Sequence, residues 1–200
     1  MKKNTLNIPN LLSLLRVLLV PAFVLTLLLM TDAEFLGVLI PALIYAVTAL
    51  TDFLDGQLAR RFGMVTDFGK FIDPLADKFM VIASLITMDV WMFLMGESTE
   101  ALVFLPVILI ILLRELMVTS LRLVVAGKSG EVVAASIFGK IKTVSQMVGT
   151  LIILLEYYVF PFSADSHVIA YIVMVIMTVA TVLSGIDYLR KYLPCINTNE

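Results

Sequence analysis

The sequence predicts an all-α integral membrane protein with six transmembrane helices and both termini on the cytoplasmic side. Composition is the first of three observations behind this prediction. Of the 200 residues, 60 % are hydrophobic and 15 % are charged, and mean hydropathy is +1.04, whereas a soluble domain carries about 25 % charged residues. So much apolar surface needs lipid as part of its solvent, which argues against a soluble enzyme. The net charge of −2 indicates no nucleic-acid partner.

The second observation is a series of six long apolar segments. A helix that crosses a bilayer needs roughly 20 mostly apolar residues. The connections between these segments are short, so residues 1–200 are predicted to form a single membrane domain. The predicted spans are residues 11–30, 35–59, 71–95, 101–125, 144–162 and 168–189.

The third observation is the one-sided placement of the cations. The connections at 31–34, at 96–100 and around 163–167 contain no Lys or Arg. All 14 cations are therefore assigned to one side, at the two termini, in the alternate connections or, for Arg16, Arg114, Arg122 and Lys78, within the adjoining spans. Because positively charged connections stay in the cytoplasm, both termini are predicted to be cytoplasmic, which requires an even number of spans.

Four aspartates stand out at the predicted cytoplasmic ends of spans two and three. Asp52 and Asp55 are three residues apart, and Asp73 and Asp77 are four apart. On a helix, both spacings place the pair on one face. The short connection makes the two helices antiparallel neighbours, so the two pairs can face each other. Intramembrane carboxylates are costly and mark function by default.

Two divalent cations would cancel these four negative charges without protonation. Oxygen ligands favour hard ions such as Mg²⁺ or Mn²⁺ over zinc, and two such ions about 4 Å apart support in-line displacement at phosphorus. The alternative is that the aspartates are water-exposed helix ends, paired with neighbouring cations. Those neighbours are Arg60, Arg61, Lys70 and Lys78.

The aspartates belong to a longer pattern that resembles the signature of the CDP-alcohol phosphotransferase family. Its eight specified positions span 26 residues without a departure: Asp52, Asp55, Gly56, Ala59, Arg60, Gly69, Asp73 and Asp77. The resemblance implies six transmembrane helices, a homodimer, and transfer of a substituted phosphate from a CDP-linked donor to an alcohol, with release of CMP.

The resemblance also implies roles for the residues of the pattern. Asp52, Asp55 and Asp73 would bind the metals, and Asp77 would help to bind a metal and act as general base. A carboxylate can accept the proton of the attacking alcohol because proton transfer accompanies bond formation. The nucleotide would be held by Asp52, Asp55, Gly56, Ala59, Arg60 and Gly69.

A second group of cations suggests a pocket for a phosphorylated acceptor. Arg114 lies about halfway along span four, too deep for simple snorkelling to the interface, and buried cations suit phosphate binding. The candidates are Arg114, Arg122, Lys140 and Lys142. The alternative is that these residues only follow the positive-inside rule, and that Arg114 pairs with Glu115 or with a lipid head group.

Two further segments resemble a bacterial subgroup of the same family. They are the N-terminal stretch Asn7–Arg16 and the Phe-Gly-Lys-x-Lys-Thr stretch from Phe138 to Thr143, followed by Gln146. By this resemblance the donor is CDP-diacylglycerol, the acceptor is sn-glycerol 3-phosphate, the enzyme lies in the cytoplasmic membrane, and Asn10 contributes to the nucleotide or acceptor site.

Two alternatives stay open at this stage. The same chemistry could use another acceptor, such as inositol phosphate or phosphatidylglycerol. The four aspartates could instead serve a cation-coupled transporter. A transporter usually places such groups near the midplane on broken helices of repeated halves, whereas here they cluster at one end and the halves do not repeat.

Overall fold

The computed structural model describes residues 8–30, 34–62, 67–129, 136–159 and 166–197. Side chains are described at 10–30, 36–52, 68–69, 71–127, 136–156 and 166–193. These parts of the chain form six α-helices and no strand, which confirms the predicted all-α class. The helices are α1 (Ile8–Leu29), α2 (Glu34–Phe62), α3 (Asp67–Leu94), α4 (Ser98–Ser129), α5 (Ile137–Val159) and α6 (Val168–Asn197).

The helices are longer than the predicted spans, chiefly at the end of the bundle where the cations lie. Helix α4 continues to Ser129, and α5 begins at Ile137 rather than at residue 144. The spans were predicted from apolar residues alone, whereas a helix can continue into water or the head-group region. The basic segment at 138–142 therefore forms the first turns of α5 instead of a loop.

Four helices of the described chain are long and apolar enough to cross a membrane. They contain the segments Asn10–Leu29, Ser98–Gly127, Ile137–Glu156 and Val168–Leu193. Helix α2 contains a shorter apolar stretch, Leu36–Asp52, within its described side chains. Many large apolar side chains point outward on these helices, among them Leu18, Leu29, Leu102 and Leu123, as expected for a surface solvated by lipid.

Packing divides the six helices into two groups of three. Helix α1 packs against α2 and α3, while α6 packs against α4 and α5. Along its axis the bundle has an apolar half and a polar half. The apolar core fills the half that contains the α3–α4 turn. Its largest fully buried members include Phe23, Leu27, Met80, Leu85, Met88, Phe104, Ile111 and Leu154. The buried polar side chains are concentrated in the other half, where α1, α3 and α5 begin.

A short turn joins α3 to α4 at the apolar end. Gly96 has a φ of 91°, a left-handed conformation that costs glycine little because it has no Cβ. The Glu97 amide donates to the Met92 carbonyl, and the Gly96 amide donates to the Phe93 carbonyl. This pair of hydrogen bonds is a Schellman cap. It reverses the chain within three residues and makes α3 and α4 antiparallel neighbours.

Candidate functional site

One face of α1 supports the aspartates of α2 and α3. Asn10, Ser13 and Arg16 follow each other at intervals of three residues and are all buried, so they share one face of the helix. The Ser13 hydroxyl donates a hydrogen bond to Asp73 Oδ1. Arg16 Nη1 lies 2.7 Å from Asp52 Oδ1. One helix therefore orients two of the four predicted metal ligands.

Asp77 lies one turn further along α3 than Asp73. Its Oδ1 atom is buried and has no hydrogen-bond partner among the described residues. Its charge interacts with those of Asp52, Arg16 and Lys142. An unpartnered buried carboxylate oxygen is costly, and a metal ion would satisfy it. Asp77 therefore offers an unpartnered carboxylate oxygen within electrostatic reach of Asp52, which fits a hard cation.

The remaining positions of the aspartate pattern are only partly described. The side chains of Asp55, Ala59 and Arg60, and the surroundings of Gly56, lie outside the described residues, although the backbone of α2 is helical through these positions. Gly69 is buried in the first turn of α3, four residues before Asp73. The metal and nucleotide roles of this group stay predictions.

Two of the predicted phosphate-binding cations meet at a single carboxylate oxygen. Glu115 Oε1 lies 2.9 Å from Arg114 Nη1 and 2.6 Å from Lys142 Nζ. Arg114 Nη2 also donates to the hydroxyl of Ser184 on α6. The pairing of Arg114 with Glu115 was the alternative considered from the sequence. The structure adds Lys142 to that pair and places all three side chains in the polar half of the bundle.

Arg122 is connected to this cluster through Tyr188. The Arg122 Nη2 atom donates to the Tyr188 hydroxyl at 2.6 Å. The guanidinium groups of Arg122 and Arg114 lie 5.2 Å and 5.4 Å from the centre of the Tyr188 ring, within the range of cation–π attraction. Since Tyr188 is 1 % exposed, it holds both arginines against one fixed aromatic surface.

Lys140 lies apart from these three cations. It is exposed and lines an apolar groove with Ile141, Val144, Val148 and Ile176. Two residues correspond to about 200° of rotation around a helix, so Lys140 and Lys142 point in nearly opposite directions. The structure brings Arg114, Arg122 and Lys142 together and leaves Lys140 apart from them, and the phosphate-binding role of all four stays a prediction.

Sequence reasoning missed several side chains of the site. Ser13 and Arg16 were not assigned to the aspartate cluster, and Tyr188 and Ser184 were not assigned to the cation cluster. The three-residue spacing of Asn10, Ser13 and Arg16 in an otherwise apolar span was a usable signal. No local signal marks Tyr188, because its role depends on the packing of α6 against α4.

A separate polar cluster occupies the opposite end of the bundle. Ligand atoms of Glu97, Glu100 and His167 lie within 4.8 Å of one another. His167 Nε2 is 3.4 Å from Glu97 Oε2, and the Tyr171 hydroxyl donates to Glu100 Oε1 at 2.9 Å. These contacts join the α3–α4 turn to the start of α6. Asp77 lies in the first half of α3, and this cluster lies beyond the last residue of that helix, Leu94. We therefore assign the cluster to helix packing and not to the aspartate site.

The chain is similar in sequence to known proteins of one family. Residues 6–184 match the family described as CDP-alcohol phosphatidyltransferase. A Bacillus subtilis protein named CDP-diacylglycerol--glycerol-3-phosphate 3-phosphatidyltransferase is 36 % identical over 97 % of this chain and 99 % of its own length. A probable phosphatidylglycerophosphate synthase of Mycobacterium tuberculosis is 38 % identical, covering 94 % of this chain and 82 % of its own. An Escherichia coli relative with the same name as the Bacillus protein is 42 % identical over 71 % of this chain and 73 % of its own.

The helical bundle, its apolar crossing segments and its paired acidic and basic clusters define a membrane-embedded phosphotransferase. The family match extends over most of the chain and includes every position of the aspartate pattern. The chain belongs to the CDP-alcohol phosphatidyltransferase family.

Proposed function

We propose that the protein transfers the phosphatidyl group of CDP-diacylglycerol to sn-glycerol 3-phosphate, forming phosphatidylglycerophosphate and releasing CMP. The observation that carries this proposal is that the buried Asp77 carboxylate lies within electrostatic reach of both Asp52 and Lys142. A metal-binding cluster beside buried cations fits a diphosphate donor together with a phosphorylated acceptor. The names of the Bacillus and Escherichia relatives state the same donor and acceptor.

In this proposal Asp52, Asp55, Asp73 and Asp77 hold two divalent cations, Mg²⁺ or Mn²⁺. Two features of these residues suit Mg²⁺ or Mn²⁺: all their ligand atoms are oxygens, and Oδ1 of Asp77 is buried and unpartnered. Two bound cations would neutralise the donor diphosphate and stabilise the departing CMP. Arg16 and Ser13 keep Asp52 and Asp73 oriented for this task.

The reaction is a displacement at the phosphorus next to diacylglycerol. The primary hydroxyl oxygen of the acceptor forms the new P–O bond, the bond to the bridging oxygen breaks, and CMP leaves with that electron pair. Asp77 accepts the hydroxyl proton as the new bond forms. Arg114, Arg122 and Lys142 hold the acceptor phosphate. The nucleotide is held by Asn10, Asp52, Asp55, Gly56, Ala59, Arg60 and Gly69.

We further propose that all six helices cross the cytoplasmic membrane of a bacterium, with both termini and the aspartate site in contact with the cytoplasm. The sequence has no Lys or Arg in the connections at 31–34, 96–100 and 163–167, which supports this orientation by the positive-inside rule. Acyl chains then stay in lipid while glycerol phosphate and CMP exchange with cytosol. The family resemblance supports a homodimer, which light scattering of the purified protein tests.

The activity is tested by CMP release from CDP-diacylglycerol with Mg²⁺ or Mn²⁺. Purified protein is given glycerol 3-phosphate, inositol phosphate, phosphatidylglycerol or serine as acceptor. We expect release with glycerol 3-phosphate only. Release with inositol phosphate alone would mean that inositol phosphate is the acceptor, and the proposed transfer from CDP-diacylglycerol would stand. An absence of release with every acceptor, together with divalent-cation uptake into proteoliposomes, would favour the transporter.

The topology is tested with a membrane-impermeant maleimide on intact cells. The chain has one cysteine, Cys195, which the proposal places in the cytoplasm. Ser98 is exposed at the start of α4, at the opposite end of the bundle. We expect Cys195→Ser/Ser98→Cys to be labelled from outside and the parent chain to be labelled only after lysis. The reverse pattern would invert the orientation.

A further inference from the structure

Helix α5 presents a row of buried polar side chains to the interior of the bundle. Lys142, Gln146 and Thr150 are spaced four residues apart, which places them on one face of the helix. They are 4 %, 1 % and 1 % exposed. Lys142 is accounted for by its contact with Glu115. The amide of Gln146 has no role in the mechanism so far.

The orientation of the Gln146 amide is determined by its neighbour on α6. The Thr181 hydroxyl donates its hydrogen to the Met177 carbonyl at 2.7 Å, so its oxygen is available only as an acceptor. Gln146 Nε2 donates to that oxygen at 3.2 Å. The amide nitrogen therefore faces Thr181, and the amide oxygen faces away from it.

The amide oxygen is left as an unused acceptor. Gln146 Oε1 is buried and has no hydrogen-bond partner among the described residues. Leaving a buried acceptor unpaired costs roughly 1–3 kcal/mol, so a native protein usually supplies a partner for it. The missing partner is a hydrogen-bond donor, which a ligand bound in the polar half of the bundle can supply.

The depth of Gln146 in the bundle can be compared with the depths of Asp77 and Lys142. Tyr45 interacts with Ser84 of α3 and with Thr150 of α5, so these two residues lie at the same depth. Both helices run in the same direction from the polar end. With a rise of about 1.5 Å per residue, Gln146 then lies about one helical turn deeper than Asp77. Lys142, whose charge interacts with Asp77, lies one turn above Gln146.

We infer that Gln146 is a specificity residue whose Oε1 accepts a hydrogen bond from the acceptor's second hydroxyl, the one that does not attack phosphorus. This inference rests on the proposed function. A three-carbon phosphate can place its phosphate on the cations, its reacting hydroxyl at Asp77 and its middle hydroxyl at Gln146. Glycerol phosphate has a donor at that carbon, whereas a deoxy analogue leaves the buried oxygen unpaired.

The test compares two acceptors that differ only in that hydroxyl. CMP release is measured with glycerol 3-phosphate and with 3-hydroxypropyl phosphate, which keeps the phosphate and the primary hydroxyl. The wild-type chain should prefer glycerol 3-phosphate by about tenfold or more in kcat/KM. In Gln146→Met, which keeps the side-chain length but lacks the amide, the preference should fall to nearly one.

Ser145→Ala serves as the control, because the Ser145 hydroxyl only donates to the Lys142 carbonyl on its own helix. It should keep the wild-type preference. If Gln146→Met loses activity with both acceptors, Thr181→Val is the second test. This variant removes the hydroxyl that accepts the Gln146 amide hydrogen bond, so it should also reduce the preference for glycerol 3-phosphate. An unchanged preference in active Gln146→Met, or in Thr181→Val, would overturn the inference and would mean that a buried water is the partner.

The two proposals fail in different ways. Wild-type protein that releases no CMP with glycerol 3-phosphate contradicts the proposed function. Wild-type protein that releases CMP equally with both acceptors leaves the proposed function standing and removes the role of Gln146.

Discussion

Arg16 Nη1 lies 2.7 Å from Asp52 Oδ1. The arginine is 1 % exposed and belongs to α1, while the aspartate belongs to the acidic cluster of α2 and α3. An internal cation therefore offsets part of the negative charge that the cluster carries without metal. The same contact orients one carboxylate for a metal ion, so Arg16 links the stability of the bundle to metal binding.

Arg16→Met should lower the thermal stability of the metal-free protein and increase the stabilisation by Mn²⁺. Loss of a hydrogen bond to a charged group costs about 1.5–3 kcal/mol, which corresponds to several degrees in Tm for a chain of this size. In the variant the uncompensated negative charge attracts the metal more strongly, and we expect this to outweigh the loss of Asp52 orientation, so the variant gains more from the metal than the wild type does.

The measurement is thermal unfolding in detergent with and without Mn²⁺. Lys191→Met is the matched control, because Lys191 is exposed and its ammonium group lies over the Tyr192 ring. Equal Mn²⁺-induced shifts in Arg16→Met and in the control would show that Arg16 does not act on the metal site.

Asp77→Asn should abolish turnover and leave nucleotide binding largely intact. The amide keeps the size of the side chain but cannot accept the proton of the attacking hydroxyl, and loss of a general base lowers the rate by about 10²–10⁴. Single-turnover CMP release measures the chemical step, and calorimetric titration with CMP measures binding. Asp52→Ala is the comparison and should lose metal binding as well. Full activity in Asp77→Asn would contradict the role of general base.

Arg114→Ala should raise the KM for glycerol 3-phosphate far more than the KM for CDP-diacylglycerol. Removing one charged hydrogen bond to a phosphate corresponds to about a tenfold effect or more. Lys140→Ala is the control. The sequence prediction places Lys140 in the acceptor pocket, whereas in the structure it lies on the side of α5 opposite to Lys142. We expect its acceptor KM to stay within about twofold of the wild type. Initial rates over both substrate concentrations measure these constants, and equal effects of Arg114→Ala on both would place the acceptor pocket elsewhere.

Gly149→Ala should destabilise the contact between α5 and α6. A Cβ at Gly149 would lie 2.6 Å from Met177 Sδ and 2.9 Å from Val173 Cγ1, closer than packed atoms allow. Overpacking of this kind costs about 1–3 kcal/mol. Gly127→Ala is the control, because nothing lies within 4 Å of a Cβ there. Thermal unfolding of both variants measures the difference, and equal Tm values would contradict the close packing of α5 on α6.

Much of the architecture could be predicted because it depends on local patterns. Long apolar segments predict helices wherever they occur, and all six were found in the described chain. The phases of Asp73 and Asp77 follow from helical geometry alone. Helix ends were harder to predict, because Lys140 and Lys142 interrupt the apolar pattern at the start of α5 and Lys128 does so at the end of α4.

The partners of the charged residues could be predicted less well. The sequence identifies Arg114, Arg122, Lys140 and Lys142 as one group of cations. It does not specify that Lys142 shares the Glu115 oxygen with Arg114, or that Lys140 points away toward an apolar groove. These facts depend on how far each helix is rotated about its axis against its neighbours.

The sequence by itself determined the lipid-solvated helical class, the common face of each aspartate pair and the signature that relates the chain to its family. Each of these follows from composition or from the period of a single helix. Only the tertiary structure decided that α1 supports the aspartates through Ser13 and Arg16, and that the Gln146 amide oxygen is left without a partner. Those relationships join residues on different helices, and their geometry arises from the side-chain packing that sets the depth and rotation of every helix in the bundle.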